Sequence, residues 1–212
     1  MTEVKVVPIV EGHGEYEAVP VLVRRIASTI DAGFVPRILT PIRVPASRLR
    51  KEGELERSVT LAARKLQGHG GILIIMDCDW EGGCPARDGP ALLARAKMAR
   101  SDYPISVVLA NKEYESWFLA AAESIAGRRG LPEQIIAPTA PESIRNAKGW
   151  LAEQMPRGMS YSETTDQPAF TAIFDIDRAR RADSFDKCFR EIFSMLNALR
   201  QNQSIHEGND TL

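Results

Sequence analysis

Apolar residues along the chain fall into short unbroken runs, separated by longer stretches in which they recur at helical spacing. The densest run is Ile72 to Met76, with Gly70 and Gly71 before it and Asp77-Cys78-Asp79 after it. Such a run, bounded by turn residues, predicts a central strand buried on both faces. Val4 to Val10 predicts a first strand in which Pro8 is discordant, because proline donates no ladder hydrogen bond and belongs on an edge or near a strand end. Residues 34–44 read as a second extended segment with a proline break, and Ile105 to Ala110 as a fourth strand. Helical spacing runs from Tyr16 to Ile30 through Val19, Val23 and Ile26, and from Glu54 to Leu66 through Leu55, Val59, Ala62 and Ala63. Pro90 to Arg100 and the segment opened by Asn111 to Phe118 add two further helices.

Strand and helix alternate through this part of the chain. That order predicts an α/β fold, Rossmann-like, with a mainly parallel four-stranded sheet flanked by helices. The core is expected over about residues 3–125 and a C-terminal helical extension over about 126–200, the two forming a single domain across 1–200. In the extension, Glu142 to Met155 reads as a helix and Gly158 to Gln167 as polar and irregular. Pro168 to Ala182 reads as a short helix or strand, and Phe185 to Leu199 as an amphipathic helix. Residues 201–212 are polar and are expected to be a disordered tail.

Composition narrows the classes. Of 212 residues, 44% are hydrophobic and 26% charged, as in an ordinary globular protein, and no apolar run approaches the roughly 20 residues needed to cross a bilayer. The first strand is too short and too soon followed by Glu11 to be a secretory signal, so a cytoplasmic setting without membrane contact is expected. Cys78, Cys84 and Cys188 form no Cys-x-x-Cys pair and are expected as reduced thiols. The net charge of −1 means that a nucleic acid would have to be held by a local patch. Arg37 to Lys51, which carries Arg43, Arg48 and Arg50 and no acid, supplies one such strip, although a solvated loop accounts for it equally simply.

The chemistry gathers past strand ends, where open parallel sheets bind their ligands. Glu11 follows the first strand and Glu15 lies about one helical turn on; Asp77 and Asp79 follow the central strand; Glu113 and Glu115 follow the fourth. Strand alternation would put Asp77 and Asp79 on one side and Cys78 on the other. Each acid alone is also explained as a turn or helix-cap residue. Their convergence at one end of the sheet asks instead for a cation, and Mg²⁺ prefers oxygen ligands. His13, in the glycine turn beside Glu11, is placed to assist proton transfer near neutral pH or simply to sit exposed in the turn.

Glu11-Gly12-x-x-Glu15 after a first strand, Asp77-x-Asp79 after a later one and Glu115 after the next resemble the Toprim fold. The resemblance is closest to the bacterial Toprim-like family known as domain of unknown function 4276, and it spans Val4 to about Leu199. It implies a Mg²⁺-dependent (or Mn²⁺-dependent) nuclease or phosphodiesterase. In it, Glu11 would be the general acid or base, Asp77 and Asp79 the metal ligands, and Glu15 and Glu115 second-site or outer ligands. Arg43, Arg48 or Lys112 would steady a nucleic acid or other phosphoester substrate. The resemblance also suggests an ATPase partner in defence or DNA repair. A non-catalytic Toprim subunit that binds metal or nucleic acid is the alternative. A haloacid-dehalogenase-like phosphatase, whose nucleophile also sits in Asp-x-Asp, ranks third because Glu81 stands where that family usually has Thr or Val.

Overall fold

The structure, a computed structural model, describes residues 3–209. Its strands are β1 (Lys5–Val10), β2 (Arg37–Ile38), β3 (Ile42–Arg43), β4 (Gly71–Asp77) and β5 (Ile105–Ala110). The major helices are α1 (His13–Ile30), α3 (Glu54–Leu66) and α4 (Pro85–Ala99), with the short α2 (Ala46–Leu49) between β3 and α3. After β5 come α5 (Ser116–Ala120), α6 (Ala147–Gln154), α7 (Glu163–Thr171), α8 (Ile176–Ala179) and the long α9 (Asp183–Asn209). Every strand pairing is parallel, in the order β2 and β3 together on one edge, then β1, β4 and β5. The fold is therefore the expected α/β sheet, with its four positions built from five strand segments.

The split edge explains Pro8. The residue lies inside an interior strand, opposite Leu73, and not at an edge as expected. On the other side of β1 the carbonyls of Val4, Val6 and Val10 accept from Arg37, Leu39 and Val44. Pro8 shares their orientation, so its missing N–H faces the break at Thr40-Pro41, where the ladder register slips by one residue. Two prolines meet at one interruption, and neither removes a bond that a neighbour needs.

Alternation sorts the strand residues into two cores. Val7, Ile9, Ile72, Ile74, Met76, Val107 and Leu109 pack under α3 and α4. Val6, Val10, Leu73, Ile75 and Val108 face α1, α5 and the extension. Gly71 lets α9 pack closely across β4, since a Cβ there would lie 2.6 Å from Met195 Sδ.

Several boundaries differ from expectation. α4 begins at Pro85, five residues before the expected start, because Pro85 suits the first helical position and Pro90 is exposed. The stretch 158–167 is not irregular throughout: α7 starts at Glu163 and packs on α1. Helix α6 is shorter than expected, and Asn146 caps it by accepting from the Gly149 N–H. Helix α9 continues past residue 200 to Asn209, while 210–212 of the expected tail lie outside the described residues. Among the described residues no helix is long and apolar enough to cross a membrane.

Candidate functional site

Parallel pairing brings the C-terminal ends of β1, β4 and β5 side by side, and their trailing residues meet there. Glu11, half-buried, accepts the Asp77 N–H at 3.2 Å through Oε2, which ties the end of β1 to the end of β4. Glu15, buried, reaches back to the Gly12 N–H at 3.0 Å, the glutamate half of a capping box at the start of α1. Asp77 is buried and its Oδ1 accepts the Tyr114 N–H at 2.8 Å, joining β4 to the turn after β5. Glu115 is fully buried; its Oε1 accepts from Tyr161 Oη at 2.8 Å and from Gln167 Nε2 at 3.1 Å. Its Oε2 has no hydrogen-bond partner.

A lysine unanticipated from the sequence stands in the middle. Lys148, from the first turn of α6, places Nζ 2.9 Å from Glu163, 3.8 Å from Asp77 and from Glu113, and 4.0 Å from Glu115. Glu113 fixes that position, because its Oε2 accepts the backbone N–H groups of Ala147 and Lys148 at 2.6 and 3.2 Å. Its role is thus to cap α6 across the site, beyond any effect on its own helix. Sequence spacing offers no route to Lys148, which lies in a short helix with no pattern of acids around it.

The electrostatics follow from crowding. Burial first, then the charges of Glu15 and Glu115, hold the Asp77 carboxyl well above its ordinary range, with Lys148 opposing. Glu115 is pushed up to about 8 by burial, against the pull of Lys148 and the Tyr161 hydrogen bond. Burial also raises Glu11, offset by the Asp77 N–H and reinforced by Glu15 and Asp79. Burial alone would lower Lys148, but Glu115, Asp77 and Glu163 outweigh it and keep the ammonium charged.

The rest of the expected site divides. Asp79 is exposed, whereas Asp77 is buried: β4 ends at Asp77, so strand alternation no longer governs Asp79. It stays close enough to act on Glu11. Arg48 is engaged in an exposed ion pair with Glu54 at 2.6 Å. Lys112 lies beside the Asp77-Cys78 turn, its carbonyl accepting the Cys78 N–H at 3.0 Å. His13 and Arg43, from different elements, line a common cleft.

Compared with models of known protein families, with curated proteins and with solved structures, the chain matches none.

Whether these residues suit a divalent cation is a question of donor chemistry and charge. Among the described residues no three His, Cys, Asp or Glu side chains stand as an assembled ligand set. The donors are nevertheless all carboxylate oxygens, as a hard cation requires. Asp77, Glu113, Glu115 and Glu163 surround a single ammonium, and one buried carboxylate oxygen is unpartnered. The donor type is the one Mg²⁺ or Mn²⁺ prefers, and Lys148 already offsets part of the charge.

Proposed function

We propose that the chain is a Mg²⁺-dependent phosphodiesterase of Toprim type, acting on nucleic acid in a cytoplasmic setting, with an ATPase partner only as the sequence resemblance implies. The observation that carries the reading is the meeting of Glu11, Asp77 and Glu115 at three adjacent strand ends, with Lys148 beside Asp77 and Glu115. Asp77 and Asp79 would hold the ion, which would supply charge neutralisation of the phosphate and a more acidic water. Glu11, half-buried with its pKa raised by burial, would take up and return a proton at its carboxylate. Lys148 would set its ammonium against a phosphate oxygen, a role in which a charge already held by fixed carboxylates needs no reorganisation. Tyr161 and Gln167 would keep Glu115 in place from the opposite side.

A phosphatase with Asp77 as nucleophile is disfavoured, because that carboxyl is buried and its Oδ1 is taken by the Tyr114 N–H. The non-catalytic subunit gains support from Lys148, which already compensates much of the negative charge. Calorimetric titration with Mg²⁺ and Mn²⁺, paired with nicking of plasmid DNA, separates the two. The proposal expects binding and nicking in the wild type and at least a tenfold loss of both in Asp77→Asn. Binding without cleavage of DNA or RNA would favour the subunit, and no binding would overturn the Mg²⁺-dependent reading.

A further inference from the structure

We infer that the cleft beside the carboxylate cluster is a nucleotide subsite, taking one unpaired nucleotide of a single strand next to the bond that is cut. The inference deepens the phosphodiesterase reading and rests on it for the cutting, though not for the binding. The cleft measures about 400 Å³ and is lined by His13, Tyr16, Glu17, Arg43 and Thr164. Three elements supply these residues: the first turns of α1, the end of β3 and the start of α7. Each is tied to the cluster by its neighbour in the chain. Arg43 pairs with Val10, the residue before Glu11. Tyr16 follows Glu15, and Thr164 follows Glu163, whose carboxylate holds Lys148.

The lining matches the parts of a nucleotide. Arg43 is exposed, and its guanidinium has no ion-pair or hydrogen-bond partner among the described residues, which leaves it free for a phosphate. Tyr16 packs partly against the core and presents an aromatic surface to the cleft. A base reaches such a surface only when it is unstacked, which selects single strands over duplexes. Glu17 repels phosphate and accepts from exocyclic amines, so it orients the base end away from Arg43 and favours amine-bearing bases such as cytosine over thymine or uracil. His13 and Thr164 remain for the sugar hydroxyls. The larger groove between α3 and α4, about 970 Å³, lies across the sheet, and its Arg57 and Arg95 are already paired with Glu54 and Glu56.

The test is calorimetric and uses cytidine 5′-monophosphate and inorganic phosphate as probes, with EDTA present so that no metal or cleavage contributes. The wild type should bind the nucleotide at least tenfold more tightly than phosphate. Tyr16→Leu should lose about tenfold for the nucleotide and nothing for phosphate, and Tyr16→Phe should retain both. Arg43→Ala should weaken both probes. Circular dichroism on each variant guards against a folding effect, and Tyr16→Phe keeps the ring if Tyr16→Leu unfolds. Equal affinity for the two probes, or nucleotide affinity indifferent to both Arg43→Ala and Tyr16→Leu, would overturn the subsite. Nucleotide binding as expected, but no cleavage of any oligonucleotide with Mg²⁺, would sustain the subsite and sink the phosphodiesterase reading. Cleavage untouched by either substitution would do the reverse.

Discussion

Lys148 decides the charge balance of the site, and its removal has a signed consequence. Lys148→Met leaves Asp77 and Glu115 buried without compensation, which should cost about 1–3 kcal/mol at pH 8 in urea denaturation. The lysine is partly exposed, which keeps the figure below that of a fully buried pair. The cost should shrink at pH 5, where Glu115 is neutral. Glu115 itself gives a second pH signature. Its folded pKa of about 8 lies above the ordinary 4.5, so the stability linked to it is full below 4.5 and is lost as pH rises through 8. Glu115→Gln should therefore flatten the decline of stability between pH 5 and 9, read as the denaturation midpoint against pH. A slope equal to that of the wild type would mean that Glu115 is ionised throughout.

Elements are held to the site by close approach and by capping. Gly14, in α1, lies against α7 so tightly that an added Cβ would meet Gln167 Oε1 at 2.1 Å and the Glu163 carbonyl at 2.9 Å. Gln167 can swing away, but the backbone of α7 cannot move without shifting Glu163. Gly14→Ala should therefore destabilise by about 1–3 kcal/mol and also reduce activity, through the loss of the Gln167 bond to Glu115. Denaturation and nicking measured on the same variant test this. Helix α6 depends on its cap: Asn146→Ala should cost about 1 kcal/mol, with the first turn that carries Lys148 the part most affected. At this scale much was legible from residue spacing. The apolar run at 72–76, the helical spacing of Val19, Val23 and Ile26, and the break at Pro41 all predict what is found. Helix α7 was not legible, because polar Glu163 to Gln167 face the site and the solvent as much as the core and so show no apolar period.

Across the whole molecule the extension completes the fold. Trp117 and Phe118 of α5, fully buried as expected of core residues, pack with Phe170, Phe174 and Phe185 in one chain of ring contacts. Tyr114 joins that chain and also carries the N–H that holds Asp77; Tyr161 stacks on Phe170 and also bonds Glu115. The aromatic core thus sets the geometry of the carboxylates. Truncation after residue 125 should expose this core as well as remove Lys148, so the fragment should be aggregated or lack dispersed amide resonances. A well-folded fragment would show that the extension is only an appendage. The sequence by itself determined the alternation of strand and helix, the parallel sheet and the acids past its strand ends, because each depends on local periodicity and on residues adjacent in the chain. Only the tertiary structure decided that Asp77 is buried while Asp79 is exposed, that Arg48 is spent on Glu54, and that Lys148 stands among the carboxylates. Those outcomes turn on burial and on contacts between residues tens of positions apart, which no local pattern encodes.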